Sequence, residues 1–256
     1  MGSADESATV NLDRPGGVQV TDSKTLGRRR AWREVLPPVL AGVALGMAAF
    51  AADLVPEAVG RVLVPAFSSG FAWAVVSLAV SYYAATLRSA LVAGVGTLAG
   101  ATLTYYGLIA VLSRQWISGS APPPDGLGSI MRASTFWLAG SLFGGLVLGY
   151  LAHVFRTGTT RNAGVALGVA LGLLVGEAAY TVLYIAFAWV GPMDSFVWTR
   201  LGTAAVQLLL AAAAALVVLR LRRPPISLRV FLMAAAVSTV ASIASWHFIE
   251  SVRMTL

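Results

Sequence analysis

The chain contains no cysteine. That removes disulfides, thiolate metal sites, iron–sulfur clusters and a cysteine nucleophile. Charge is scarce as well. Asp, Glu, Lys and Arg make up 11% of the 256 residues, where a soluble domain carries about a quarter. Lys24 is the only lysine, so no apolar run can form a retinal Schiff base. The two histidines, His153 and His247, fall at opposite membrane faces and do not form a haem or metal pair. There is no Walker phosphate loop, no G-x-S-x-G elbow, no H-E-x-x-H and no Asp-rich run for Mg²⁺-diphosphate chemistry. No cofactor and no metal are expected.

What the chain has is apolar length. Hydrophobic residues are 57% and mean hydropathy is +0.78. Long uncharged runs recur, each near the roughly 20 residues that cross a bilayer. The reading is an all-α, polytopic membrane helix bundle of about seven transmembrane helices, with the lipid bilayer as its main partner. The spans fall at residues 35–55, 67–86, 89–112, 132–152, 163–190, 199–219 and 228–248. Residues 1–31 are polar and read as a disordered cytoplasmic tail that ends in the basic cluster "GRRRAWR"; residues 32–256 form the transmembrane domain.

The net charge of +7 does not call for nucleic acid, because the arginines lie mainly in short loops. With the N-terminus inside, one set of flanks holds Lys24, Arg28, Arg29, Arg30, Arg33, Arg88, Arg156, Arg161, Arg220, Arg222, Arg223 and Arg229. The other set holds Arg61, Arg114, Arg132, Arg200 and Arg253. Twelve against five favours N-terminus inside and C-terminus outside. The Ala-, Gly- and Arg-rich composition, with one lysine, suits a GC-rich bacterium, and the expected location is the bacterial cytoplasmic membrane. The start of span 1, a basic cluster followed by "AAFAAD", resembles a cleavable secretory signal. The long polar tail before the cluster argues for keeping it as a span.

An internal match supports that choice. The string AGVALG occurs at Ala41–Gly46 and again at Ala163–Gly168, each time opening an outward span. Spans 1–3 and 5–7 are therefore candidates for two parallel three-helix repeats joined by span 4 as linker helix, a known transporter plan. Small residues four apart recur: Gly42 and Gly46, Gly96 and Gly100, Gly140 and Gly144, and the run Gly164, Gly168, Gly172, Gly176. Such stripes let helix backbones approach closely in lipid. They are expected to pack within the bundle, with a homodimer or a membrane partner subunit as the alternative.

One acid lies deep in a span. Glu177 sits in "LGLLVGEAAYTVLY", Leu171–Tyr184. Ionisable groups inside a membrane usually face the bundle interior and serve function. With Gly176 at zero and about 100° per residue, Tyr180 falls near 40°, Tyr184 near 80°, Glu177 near 100° and Thr181 near 140°. Other spans bring Tyr105, Tyr106, Trp73, Trp137, Arg132 and Asp53 to similar depth, with Trp198, Arg200, Gln207, Trp246 and Glu250 from the last two. The expected site is a vestibule open to the outside, binding ligand through Glu177, Tyr180, Tyr184, Tyr105, Tyr106, Trp73, Trp137, Arg132 and Asp53. Each has a plainer role available. Trp and Tyr belong at membrane interfaces, the charges near span ends are water-accessible, and Glu177 can simply pair with Arg132, Arg200 or a Tyr hydroxyl.

The succession "SSGFAWAVVSLAVSYYA", "TYYG", "FWLAGSLFGGLVLGYLAHVFR" and "GEAAY" resembles an actinobacterial family of small multi-pass proteins known only as a domain of unknown function. The resemblance covers residues 40–190. It implies that Trp73, Tyr106, Gly144 with Arg156, and Glu177 with Tyr180 match the family's pattern. It speaks to class and topology, not to chemistry.

Three functions follow. The first is binding or transport of a small molecule through an outward-facing aromatic and acidic cavity. The second is an intramembrane enzyme on an isoprenoid-type substrate, a terpene cyclase started by protonation, with Glu177 as general acid and aromatic faces stabilising a carbocation. The third is a structural or accessory subunit. The cysteine-free chain makes the orientation directly testable. In intact cells, a membrane-impermeant maleimide is expected to label a single cysteine at Ser251 and not one at Ser23; the reverse pattern inverts the topology.

Overall fold

In a computed structural model, the described residues are 23–112, 123–221 and 225–253. They form eight helices and no strand: α1 (Ser23–Leu54), α2 (Glu57–Phe67), α3 (Gly70–Tyr82), α4 (Leu87–Leu112), α5 (Pro123–Thr157), α6 (Thr160–Phe187), α7 (Ser195–Leu221) and α8 (Leu228–Arg253). Residues 1–22 of the expected tail, with Arg114, Trp116 and Arg222–Arg223, lie outside the described residues. From Ser23 onward the basic cluster stands on α1.

Among the described residues, six helices are long and apolar enough to cross a membrane. The exception is the second expected span, 67–86. Its helix α3 has 13 residues, about 20 Å at 1.5 Å per residue, against a hydrocarbon core of about 30 Å. Two caps cut the uncharged run. At one end, Ser69 is the N-cap, extended at φ −86°, ψ 150°, and its side chain accepts from the Ala72 N–H. At the other, Thr86 and Ser89 exchange side-chain to backbone hydrogen bonds of 2.9 and 3.1 Å and start α4. Hydropathy does not see such caps, because Ser and Thr add no charge.

The glycine stripes set the packing. α1 and α4 run parallel with their backbones in contact. A Cβ on Gly42 would strike the Thr97 carbonyl, and one on Gly46 the Ala101 carbonyl. The Thr97 hydroxyl donates to the Pro38 carbonyl (3.3 Å) across the same seam. α6 and α8 form a second parallel pair. Gly164 lies on Ser227, Gly168 on Phe231 and Ala235, Gly172 on Ser238 and Thr239, and Gly176 on Ser242. The two AGVALG strings thus hold equivalent places: each presses its glycines on the third helix of its own triplet.

α5 joins the pairs. It runs antiparallel to α4, with Gly94 against Gly145, Gly149 against the Ala90 carbonyl, and Thr102 hydrogen-bonded to Ser141 (2.8 Å). Leu151 of α5 packs with Ala166 and Ala170 of α6 and with Leu78 of α3. α7 packs chiefly on α6 and barely meets α2. The space between it and the α2–α3 connection stays open.

These contacts leave no room for a methyl group in the α6–α8 seam. Gly172→Ala would bring its Cβ within 2.6 Å of the Thr239 nitrogen and 2.8 Å of the Ala235 carbonyl oxygen. The expected cost is about 1–3 kcal/mol, read as a lower unfolding midpoint in detergent. Gly202 has nothing within 4 Å of its Cβ position. Gly202→Ala is therefore expected to be neutral or to stabilise by up to about 1 kcal/mol through helix propensity.

Candidate functional site

The site is built on the break between α2 and α3. The Ser68 N–H closes α2 on the Val64 carbonyl (2.7 Å), and Ser69 caps α3. Backbone that leaves a helix at membrane depth must be covered by protein or line a cavity. Here it does both. The Ser68 hydroxyl lies 3.2 Å from the Ala49 carbonyl and 3.3 Å from Asp53 Oδ1 as donor, and the Trp73 indole N–H donates to the Phe67 carbonyl (2.7 Å).

Glu177 of α6 meets the first turn of α3. The backbone amides of Gly70 and Phe71 act on its carboxyl, as do the charges of Arg200 and Glu250. The N-terminal end of a helix carries partial positive charge, so α3 points its favourable end at the acid. A Cβ on Gly70 would lie 3.1 Å from Glu177 Oε2 and 3.1 Å from the Trp246 ring. Glycine is what allows all three to meet. The amides approach without closing a hydrogen bond on Oε2, which is buried and without a partner among the described residues. The Glu177 side chain as a whole is half-buried.

That acid lines a cavity of about 280 Å³ between the break, α6 and α7. Thr181 of α6, Arg200, Thr203 and Gln207 of α7, and Ser68 share the wall. Arg200 reaches Glu250 of α8 at 3.7 Å and lies 5.7 Å from the Phe196 ring centroid. The cavity therefore presents a carboxyl, a guanidinium, an amide and hydroxyls at one end of an otherwise apolar bundle.

On the other side of the break lies a second cavity of about 230 Å³, lined by Trp73, Tyr105, Tyr106, Trp137, Ser68 and Gly70. Trp73 and Tyr105 stand edge-to-face at 6.2 Å and 80°, and Tyr105 and Tyr106 at 5.2 Å and 86°. The Tyr105 hydroxyl donates to Asp53 Oδ2 at 2.6 Å, the length of a strong bond to a charged acceptor. Both volumes, about 280 and 230 Å³, lie below the roughly 300–1,000 Å³ of a drug-sized pocket.

The expected single vestibule thus resolves into two chambers that share Ser68. Glu177 belongs to one. Trp73, Tyr105, Tyr106 and Trp137 belong to the other, with Asp53 tied to Tyr105. Tyr180 and Tyr184 line neither. They stack on each other at 5.9 Å, and Tyr180 lies 6.2 Å from His247 of α8. The helical angles explain the split. Tyr180, about 40° from Gly176, follows the glycine stripe toward α8, while Thr181 turns with Glu177 toward α7. Arg132 is exposed near the start of α5 and is not in either lining. Sequence reasoning overlooked Ser68, Ser69 and Gly70 as site residues. The signal was present as "SSG", a cluster of turn residues inside an uncharged run.

The Gly70–Glu177 contact predicts an energetic coupling. Gly70→Val should destabilise the protein by about 1–3 kcal/mol. In a Glu177→Ala background the cost should fall by at least about 0.5 kcal/mol, the usual size for residues in contact. Additive effects in a double-mutant cycle of unfolding midpoints would mean that the two positions do not touch.

A family model described as a family of unknown function, DUF6518, matches residues 25–248. No curated protein and no solved structure is similar to the chain. The match takes in all or most of each described helix and the lining of both chambers, and the chain belongs to this family of unknown function.

Proposed function

We propose that the protein binds a small polar molecule in the Glu177–Arg200 chamber and passes it across the bacterial cytoplasmic membrane, with the chamber facing outward. One observation carries this reading: Glu177, one of whose carboxyl oxygens is buried without a hydrogen-bond partner among the described residues, lines a cavity beside the start of a broken helix. A membrane protein keeps such a group at a cost, and a ligand donor would satisfy it. Interrupted helices whose ends meet at membrane depth are the way many transporters build binding sites. Glu177 offers an acceptor and Arg200 a donor, so a suitable ligand carries a hydrogen-bond donor and an acceptor a short distance apart. The weakly held α7 is the element free to move when ligand enters or leaves.

Proton-initiated cyclisation draws less support. It needs the acid and the aromatic faces around one substrate, and here Ser68–Gly70 stands between them. An accessory role gives no purpose to a carboxyl kept beside an open cavity with one buried oxygen unsatisfied.

The test uses purified full-length protein incubated with a bacterial metabolite extract, washed, and stripped for mass spectrometry. Wild type is expected to retain at least one small polar compound that Glu177→Gln loses by about tenfold or more. Gln keeps the shape and replaces the carboxyl with an amide. Identical profiles for the two proteins would end the role given to this acid.

A further inference from the structure

The second chamber has a chemistry of its own. Its walls are mainly four aromatic rings, and none of its six lining residues is basic. The indole N–H of Trp73 is spent on the Phe67 carbonyl, and the hydroxyl of Tyr105 on Asp53. Two of its polar handles are therefore engaged within the protein, and the chamber combines π faces with its remaining polar atoms. Neighbouring rings are close to perpendicular, at 80° and 86°, so they form walls rather than a stack. The phenol that donates to Asp53 is also made more electron-rich by that bond, which strengthens the negative face of its ring. The exposed Asp53 carboxylate adds formal negative charge at the edge.

We infer that the Trp73–Tyr105–Tyr106–Trp137 chamber, with Asp53 at its edge, is a binding site for a small alkylammonium cation. Aromatic boxes attract quaternary ammonium groups through the ring quadrupole, more strongly when a carboxylate stands near and water is displaced. The inference rests on reading the bundle as a small-molecule-binding protein, but it concerns a different chamber from the one that holds Glu177. A quaternary ammonium group could arrive as a free solute or as the headgroup of a choline lipid, and the chemistry recognised is the same.

The experiment is calorimetric titration of full-length protein in a maltoside detergent, at constant ionic strength, with choline and with 3,3-dimethylbutan-1-ol, its uncharged carbon isostere. Choline is expected to bind at least tenfold more tightly than the alcohol. Trp73→Leu should weaken choline by about tenfold or more, and Asp53→Asn severalfold. Tyr105→Phe keeps the ring, frees Asp53 and guards against misfolding of the larger replacements; it should retain measurable binding. Equal affinities for choline and the alcohol would overturn the inference, as would no choline binding by wild type, or choline binding unchanged in both Trp73→Leu and Asp53→Asn. Repeating the titration in phosphatidylcholine and phosphatidylglycerol nanodiscs separates the sources. Weaker choline binding in phosphatidylcholine alone supports the site as a lipid-headgroup site, and equal binding supports it as a site for free solute. If choline fails while Glu177-dependent metabolite capture persists, this inference falls and the proposed function stands. If capture alone fails, the reverse holds.

Discussion

Lipid offers no hydrogen bonds, so a chain that leaves a helix inside a membrane must find its partners in the protein. The rest of this structure follows from how Ser68, Ser69 and Gly70 meet that demand. Ser69 caps the helix that follows, Ser68 ties the gap to α1, and Gly70 has no side chain to keep Glu177 and Trp246 away. Were the run from Val62 to Leu87 one unbroken helix, the amides of Gly70 and Phe71 would be used within it and could not face an acid. The break is thus what makes the depth of Glu177 tolerable, and it is also what opens a chamber on either side.

The break needs a rigid frame, and the glycines supply it. Parallel pairs α1–α4 and α6–α8 touch backbone to backbone, so Asp53 and Glu177 stand at fixed positions on either side of the connection. Close packing of this kind replaces the hydrophobic drive that lipid cannot provide between helices. Buried hydroxyls add to it. The Thr102–Ser141 and Ser238–Gly168 hydrogen bonds lie in glycine-rich seams, and such bonds average about 0.6 kcal/mol in membranes. The frame therefore owes more to shape than to polar contacts.

Much of this was legible in the chain. The helical class, the depth of Glu177, the packing role of the Gly164–Gly176 stripe and the recurring AGVALG string all follow from spacing, and a periodic pattern survives whatever surrounds it. Two things were not legible. A 13-residue helix joined to a short neighbour by two serines has the same hydropathy as a spanning helix. And a helical wheel gives angles but not neighbours. Tyr180 and Glu177 differ by only about 60°, yet α8 takes one and α7 the other, because the glycine stripe brings α8 so close that it claims the flank beside it.

The two chambers are not independent, since both are built on the Ser68–Gly70 connection and share Ser68. Ser68 lines each of them, and its hydroxyl lies against Asp53 on the aromatic side. Gly70 lines the aromatic chamber while its backbone faces Glu177 in the other. A cation that draws on Asp53 competes with the Ser68 and Tyr105 hydroxyls for the same two oxygens. A donor that satisfies Glu177 relieves the carboxyl pressed on Gly70. Either event acts on the start of α3, whose far end lies with Tyr82 against Phe155 and with Ala85 accepting from Arg156. A helix held at both ends in this way links the connection between the chambers to the opposite end of the bundle.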